Sequence, residues 1–332
     1  MTGRNPTLIL LAGPVLLAAG LLLSLRYGSA DIALADLVHA LVKYDPSVME
    51  DQIVLSSRLP RALGSMLIGA LLSVSGAVMQ GVTRNYLAAP SILGVTEGSV
   101  LFVTVGMVFW SSSRTELFVL SFLGSIVSLL IVFGIARLVP HGFQPVRLAI
   151  IGLVSGTLFG SVATGLGIYF GKAQNLSFWY NARLDKFDFD QLKLGLPFIV
   201  TGFVLALLLS KSITILSLGE ETAVGLGVRR QLIMTLSIVS VALMTGASVA
   251  LAGSISFIGL VVPHITRFLV GHDYRWIIPC SAMLGAVFLC YADLLSRFVN
   301  HPYETPVSLV ITILCIPFFM YLIHRKGGTQ GV

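Results

Sequence analysis

The chain has 332 residues, of which 56% are hydrophobic and only 11% charged, against about a quarter charged in ordinary soluble domains. That composition excludes a soluble globular protein. The net charge of +6 is spread over many short segments with no dense basic tract, which argues against nucleic acid as a partner and for contact with a lipid bilayer.

Apolar runs of about 18 residues or more can cross a hydrocarbon core of roughly 30 Å. Ten runs are read as spans, near 8–25, 61–82, 93–110, 117–138, 147–170, 195–215, 231–251, 254–270, 276–296 and 304–324, the eighth short and broken. They are continuous rather than alternating, which predicts an all-α polytopic membrane protein and not a barrel. No linker or low-complexity stretch divides the chain, so one transmembrane domain is expected over 1–332.

Arg4, the first run and Gly28-Ser29-Ala30 imitate a signal peptide. The run is longer than the usual signal core, so a retained first helix is expected. Residues 31–43 follow, with Ile32, Leu34, Leu37, Val38 and Leu41 in helical spacing, as for a helix lying along the membrane surface. Lys and Arg divide almost evenly between the two sets of loops, so the charge rule does not choose an orientation.

Arg58-Leu-Pro-Arg61 opens the second run. Proline suits a first helical turn, where its missing N–H would have no partner. The two arginines share a face at the membrane boundary, where snorkelling to headgroups is the plain reading. Further along, Ser65, Gly69, Ser73, Ala77 and Gly81 recur every four residues and make a smooth ridge for close helix packing. The fifth run repeats the device with Gly152, Gly156, Gly160 and Thr164. Its small polar residues Ser155, Thr157 and Ser161 suit a wet wall as well as a packed one. Aromatics in the polar segment 172–193 (Phe178, Trp179, Tyr180, Phe187, Phe189) read as interfacial anchors.

Between the sixth and seventh runs, Leu218-Gly-Glu-Glu-Thr-Ala-Val-Gly-Leu-Gly-Val228 places Glu220 and Glu221 in the first turn of a short helix, where the macrodipole favours negative charge. Gly225 and Gly227 would end it. An ordinary connecting loop is the bland alternative. The most informative stretch is Gly253-Ser-Ile-Ser-Phe-Ile-Gly-Leu-Val-Val-Pro-His264. Glycine and proline interrupt helical hydrogen bonding, and such a break survives at membrane depth only inside protein or beside a water-filled cavity. Gly253, Gly259 and Pro263 could form a kink or a hinge. Finally, Asp293 and Arg297 stand four residues apart and could pair along one helix.

His264 and Asp293 are the ionisable residues read as nearest the interior, and a proton relay through them would make this a proton-coupled secondary transporter. Cys280, Cys290 and Cys315 lie in apolar runs without metal spacing and read as packing residues. Gly171-Lys172 is followed by Ala173 and lacks the upstream glycine of a P-loop, and neither H-E-x-x-H nor G-x-S-x-G occurs. Catalysis is not expected, and no cofactor or metal is called for.

Several of these segments resemble one permease family, the FecCD-type importers of ferric siderophores, haem and cobalamin. Gly253–His264 is similar to its G-x-I-x-F-I-G-L-V-x-P-H signature. Arg84-Asn-Tyr-Leu-Ala-Ala-Pro-Ser-Ile-Leu-Gly-Val95 is similar to R-N-P-L-A-x-P-x-x-L-G-V, with Tyr86 where proline is usual. Leu218–Val228 is similar to L-G-E-x-x-A-x-x-L-G. Gly271-His-Asp-Tyr-Arg275 and Ala292-Asp293 add support.

The resemblance implies a type II ABC importer permease in a bacterial cytoplasmic membrane, with both termini cytoplasmic. Its partners would be separate ATP-binding subunits, an extracytoplasmic substrate-binding protein and a second permease subunit, identical or similar. It further implies ATPase coupling through Gly219, Glu220, Glu221, Ala223, Leu226 and Gly227. Arg58, Arg61 and Arg297 would dock the binding protein, and Gly152, Ser155, Gly156, Gly160 and Thr164 would line the pathway. Ferric siderophore is the cargo expected from the family at large.

Overall fold

The computed structural model describes residues 5–28, 31–86, 88–110, 113–140, 142, 144–181, 184–300 and 303–327. Arg4, Ser29, Ala30 and Leu87 therefore lie outside the described residues, as do the side chains of Phe178 and Glu220. No strand occurs among the described residues. In chain order the helices are α1 (Pro6–Arg26), α2 (Leu34–Val42), α3 (Met49–Ile53), α4 (Leu59–Thr83), α5 (Val95–Phe109), α6 (Arg114–Leu138) and α7 (Pro145–Tyr169). After these come α8 (Ala173–Tyr180), α9 (Phe189–Ser217), α10 (Glu220–Gly225), α11 (Arg230–Ala252), α12 (Ile258–Val270), α13 (Tyr274–Phe298) and α14 (Val307–Gly327).

Ten of these helices fall on the ten predicted runs. Seven helical stretches are long and apolar enough to span, and the three shorter apolar ones are α5, α12 and the Val307–Phe318 part of α14. The short helices have a common origin. The chain enters α12 from the unwound residues 253–257, and α5 from a short 3-10 turn, Pro90–Leu93, whose two end residues are buried. At 1.5 Å per residue, α5 and α12 rise only about 22 and 20 Å, so each begins well inside the span of its neighbours. The surface helix expected over 31–43 is α2, with Leu37 and Ala40 buried and Leu34, Val38 and Leu41 exposed.

α4 is the centre of the fold, buried on nearly all sides by α13, α11, α12 and α9. Its small-residue ridge does what the four-residue spacing predicts. A Cβ on Gly69 would lie 2.2 Å from the Gly285 carbonyl oxygen of α13; off the ridge, a Cβ on Gly76 would lie 1.8 Å from the Gly259 oxygen of α12. Backbones in contact gain dispersion over their whole length, which is how helices associate in lipid. Gly76→Val is therefore expected to remove the folded protein from the membrane, whereas Gly134→Ala, whose new methyl would meet no atom within 4 Å, should be neutral or raise the melting temperature in detergent. Size-exclusion profiles of the two variants check this; equal yields would refute the crossing as a structural constraint.

The Gly253–His264 break is displaced from the expected kink. α11 ends at Ala252, and residues 253–257 are unwound. Gly253 (φ +74°) and Phe257 (φ +69°) both adopt positive φ, a conformation that glycine enters freely and phenylalanine only under tertiary constraint. The freed backbone groups are satisfied by protein: Ser254 N–H donates to the Trp179 carbonyl at 3.0 Å, and Ser308 Oγ to the Ser254 carbonyl at 3.2 Å. Pro263 stays inside α12, where its ring removes the helical donor to the Gly259 carbonyl. Gln80 of α4 compensates from outside: its amide donates to the Leu260 oxygen at 3.2 Å and reaches the Gly259 oxygen at 3.5 Å.

Candidate functional site: outer cluster, pathway wall and inner coupling surface

At the end of the bundle where α1 ends and α4 begins, the structure brings Arg58, Arg61 and Arg297 together. All three are buried, at 5%, 9% and 4% exposure. Arg61 Nε donates to both Asp293 oxygens at 3.0 and 3.2 Å, and its Nη1 to Glu304 at 2.8 Å. Arg297 also holds Asp293, in the i,i+4 pairing the sequence allowed, and donates to the Ser24 carbonyl at 2.9 Å. Arg58 donates to the Leu25 and Arg26 carbonyls at 2.8 and 2.9 Å. Two arginines thus cap the last turn of α1, where unpaired carbonyls and the macrodipole favour positive charge.

This changes the reading of those arginines. Snorkelling to headgroups is not what they do, and an external protein could engage them only by displacing partners within the chain. Glu304, at 44% side-chain exposure, is the part of the cluster that reaches the surface. It lines a cavity of about 330 Å³ together with Arg61, Asp185 and Asp293. The arrangement also bears on a proton relay, since both Asp293 oxygens are held by guanidinium groups. His264 lies apart from them, on α12 with its ring 6.1 Å from that of Phe318.

The glycine face of α7 is mostly a packing face. Gly152 and Gly156 press on Gly94 at the entrance to α5, and a Cβ on Gly94 would lie 3.0 Å from the Gly156 Cα. Gly152, Ser155 and Gly156 are buried, so in this conformation they present no open surface. Thr164 is exposed and Gly160 half-buried, and Thr157 and Ser161 share the uncovered side. Of the residues expected to form a hinge, Gly253 sits at the end of α11, while Gly259 is clamped in the α4 crossing. Bending at Gly259 would have to part that contact.

Between α9 and α11 the Leu218–Val228 segment forms the short helix α10, between Gly219 (φ +137°) and Gly227 (φ +74°). Gly225 lies within its last turn, and the chain turns at Gly227. Ala223 is fully buried and anchors the helix, and Val228 N–H donates to its carbonyl at 2.9 Å. Leu218, Val224 and Leu226 are 66%, 63% and 63% exposed. This short turn presents three bare aliphatic side chains beside the acidic Glu221. Arg84, Arg137 and Arg230 line a cavity of about 700 Å³.

A polar chain links the inner turns. Buried Arg267 donates to Gln80 Oε1 at 2.8 Å and stacks over the Tyr86 ring at 4.2 Å. Tyr86, where the family pattern has proline, thus serves as a platform for a buried cation. Beyond α12, Gly271 (φ +93°) turns the chain and Asp273 caps α13 through the Arg275 N–H at 3.0 Å. The Arg275 side chain, hydrogen-bonded to the Asp273 carboxyl, draws it below the ordinary aspartate range against a smaller effect of burial. Sequence reading missed Gln80, Arg267, Glu304 and Glu97. Gln80, Glu97 and Arg267 stand inside predicted apolar runs and carried their own signal; Glu304, at the edge of the last run, gave none before its partner was placed.

The fold and these surfaces define a polytopic helical membrane permease. The family model described as the FecCD transport family matches residues 16–325, and the chain belongs to that family. The iron-uptake system permease FeuB of Bacillus subtilis is 49% identical over 325 residues, covering 98% of this chain and 97% of its own. The iron(3+)-hydroxamate import permease FhuB of the same organism is 44% identical, covering 96% and 83%. Among solved structures, an inward-facing ABC transporter described as of metal-chelate type superposes with a TM-score of 0.83 at 28% identity, covering 97% of this chain and 100% of its own.

Proposed function

We propose that this chain is the membrane-spanning subunit of a binding-protein-dependent ABC importer whose cargo is a ferric siderophore. The observation that carries it is α10, a short turn with exposed aliphatic side chains in a chain whose relatives are named as iron-import permeases. ATP hydrolysis would fall to separate subunits docked on α10, with both termini on that cytoplasmic side. Two permease subunits, identical or similar, would enclose the pathway, with the uncovered side of α7 forming its wall at Thr164. An extracytoplasmic binding protein would deliver cargo to the opposite end, where Glu304 and the outer cavity lie.

Closure of the ATPases would push α10. The push would pass through the buried anchor Ala223 into α9 and α11, which α10 contacts. The unwound segment 253–257, already free of helical bonds at its ends, gives α11 and α12 freedom to move against each other.

Uptake of radiolabelled iron, supplied as a panel of ferric siderophores and haem with labelled cobalamin alongside, tests this in a deletion strain and its complemented parent. A protonophore is added while ATP is held constant. Restoration of one ferric siderophore, insensitive to the proton gradient, is the expected result. Gradient-dependent uptake would overturn it in favour of a secondary transporter, a reading that the twofold guanidinium clamp on Asp293 disfavours.

A further inference from the structure

One carboxyl group inside the bundle belongs to neither the outer cluster nor the inner turns. Glu97 stands in the first turn of α5, but that turn is deep within the membrane span. Its neighbours on α7 are Gly156 and Gly160, 11 and 15 residues from the inner end of that helix. At 1.5 Å per residue these levels are about 17 and 23 Å along a helix of roughly 37 Å, close to its midpoint.

The carboxyl lies against two glycines of α7. A Cβ on Gly156 would sit 3.5 Å from Glu97 Oε2, and one on Gly160 would sit 3.6 Å from Glu97 Cγ. Glu97 Oε2 is buried and has no hydrogen-bond partner among the described residues. Across from it stands the Tyr180 hydroxyl of α8, 3.9 Å from the same Gly160 position and beside the Thr164 side chain. Tyr180 is 39% exposed, and Thr164 lies on the uncovered side of α7.

Structural arginine–carboxylate pairs elsewhere in this chain show what a merely structural buried acid looks like: Asp293 is clasped from two sides. Glu97 is not. A carboxyl at mid-membrane without a cation is costly, and such groups persist where they face a pathway or a ligand. We propose that Glu97, with Tyr180 and Thr164, forms a polar station on the translocation pathway that accepts hydrogen bonds from the passing cargo and discriminates by charge against anionic ferric chelates. This rests on the importer reading given above and adds to it a residue that sets specificity. With two identical permease subunits, two such carboxyls would flank the pathway, and where they meet its water each carboxylate would repel an anionic chelate.

The test uses the permease with its ATPase and binding protein in proteoliposomes. Glu97→Gln keeps the shape and removes the charge. It is expected to raise uptake of a trianionic ferric tricatecholate relative to a neutral ferric trihydroxamate by roughly fivefold or more. In a background with Cys280, Cys290 and Cys315 replaced by alanine, Glu97→Cys should react with a charged, membrane-impermeant thiol reagent, and the reaction should block uptake. Thr164→Cys serves as the exposed reference.

An unchanged uptake ratio in Glu97→Gln would overturn the proposal. So would a cysteine at 97 that stays unreactive, both without nucleotide and after vanadate trapping, while the one at 164 reacts. If the unsubstituted complex carries no ferric chelate at all, the importer reading fails; if it carries one and the ratio does not move, only the station fails.

Discussion

Glu220→Lys combined with Glu221→Lys is expected to abolish uptake while the permease still reaches the membrane at its normal level. The physical basis is that α10 is short, exposed and held by few contacts: its buried anchor is Ala223, and the Glu221 side chain projects into solvent. Surface charges of this kind contribute little to folding, typically within about 0.5 kcal/mol each. At an interface the same reversal places like charges opposite one another, which costs several kcal/mol and slows encounter. Stimulated ATPase activity and transport should therefore fall together, and melting temperature should not. Leu226→Asp should act in the same direction, because it puts a charge on one of the bare aliphatic positions of the turn. Full uptake by the double reversal would remove α10 from the coupling role.

Asp293→Ala should be the most destabilising single polar substitution at the outer end. Arg61 and Arg297 are 9% and 4% exposed, and removal of their shared carboxylate leaves two buried guanidinium groups with reduced compensation. Breaking a buried pair in this way costs about 3–5 kcal/mol. Thermal unfolding in detergent would register it as a large fall in midpoint. Its counterpart is a rescue: combining Asp293→Leu with Arg61→Met and Arg297→Met removes all three charges together. Fully apolar replacements of buried ion clusters are often neutral or stabilising, so the triple variant should recover most of the loss. Were Asp293 a proton carrier instead, Asp293→Ala would lose transport with its stability intact.

Much of this molecule is written in local pattern. The ten runs, the surface helix over 31–43, the small-residue ridge of α4 and the short helix at 220–225 follow from periodicity and glycine placement, because each depends on neighbours within a few turns. The direction of side chains across the bundle does not. Arg58-Leu-Pro-Arg61 reads identically whether its guanidinium groups meet lipid, a visiting protein or the carbonyls of α1. Only the placement of α1 and α13 around α4 decided that they turn inward. In the same way the glycines of α7 could serve a wall or a packing face, and the approach of Gly94 decided that Gly152 and Gly156 are packed.

The sequence by itself determined a helical membrane permease and the segments that mark its family, since hydrophobic length and motif spacing are properties of consecutive residues. The tertiary structure decided which polar groups meet: Asp293 between two arginines, Gln80 answering the carbonyls freed near Pro263, and Glu97 against Gly156 and Gly160. In a medium without water to satisfy them, buried polar groups take their meaning from partners far away in the chain, and only the packed bundle specifies those.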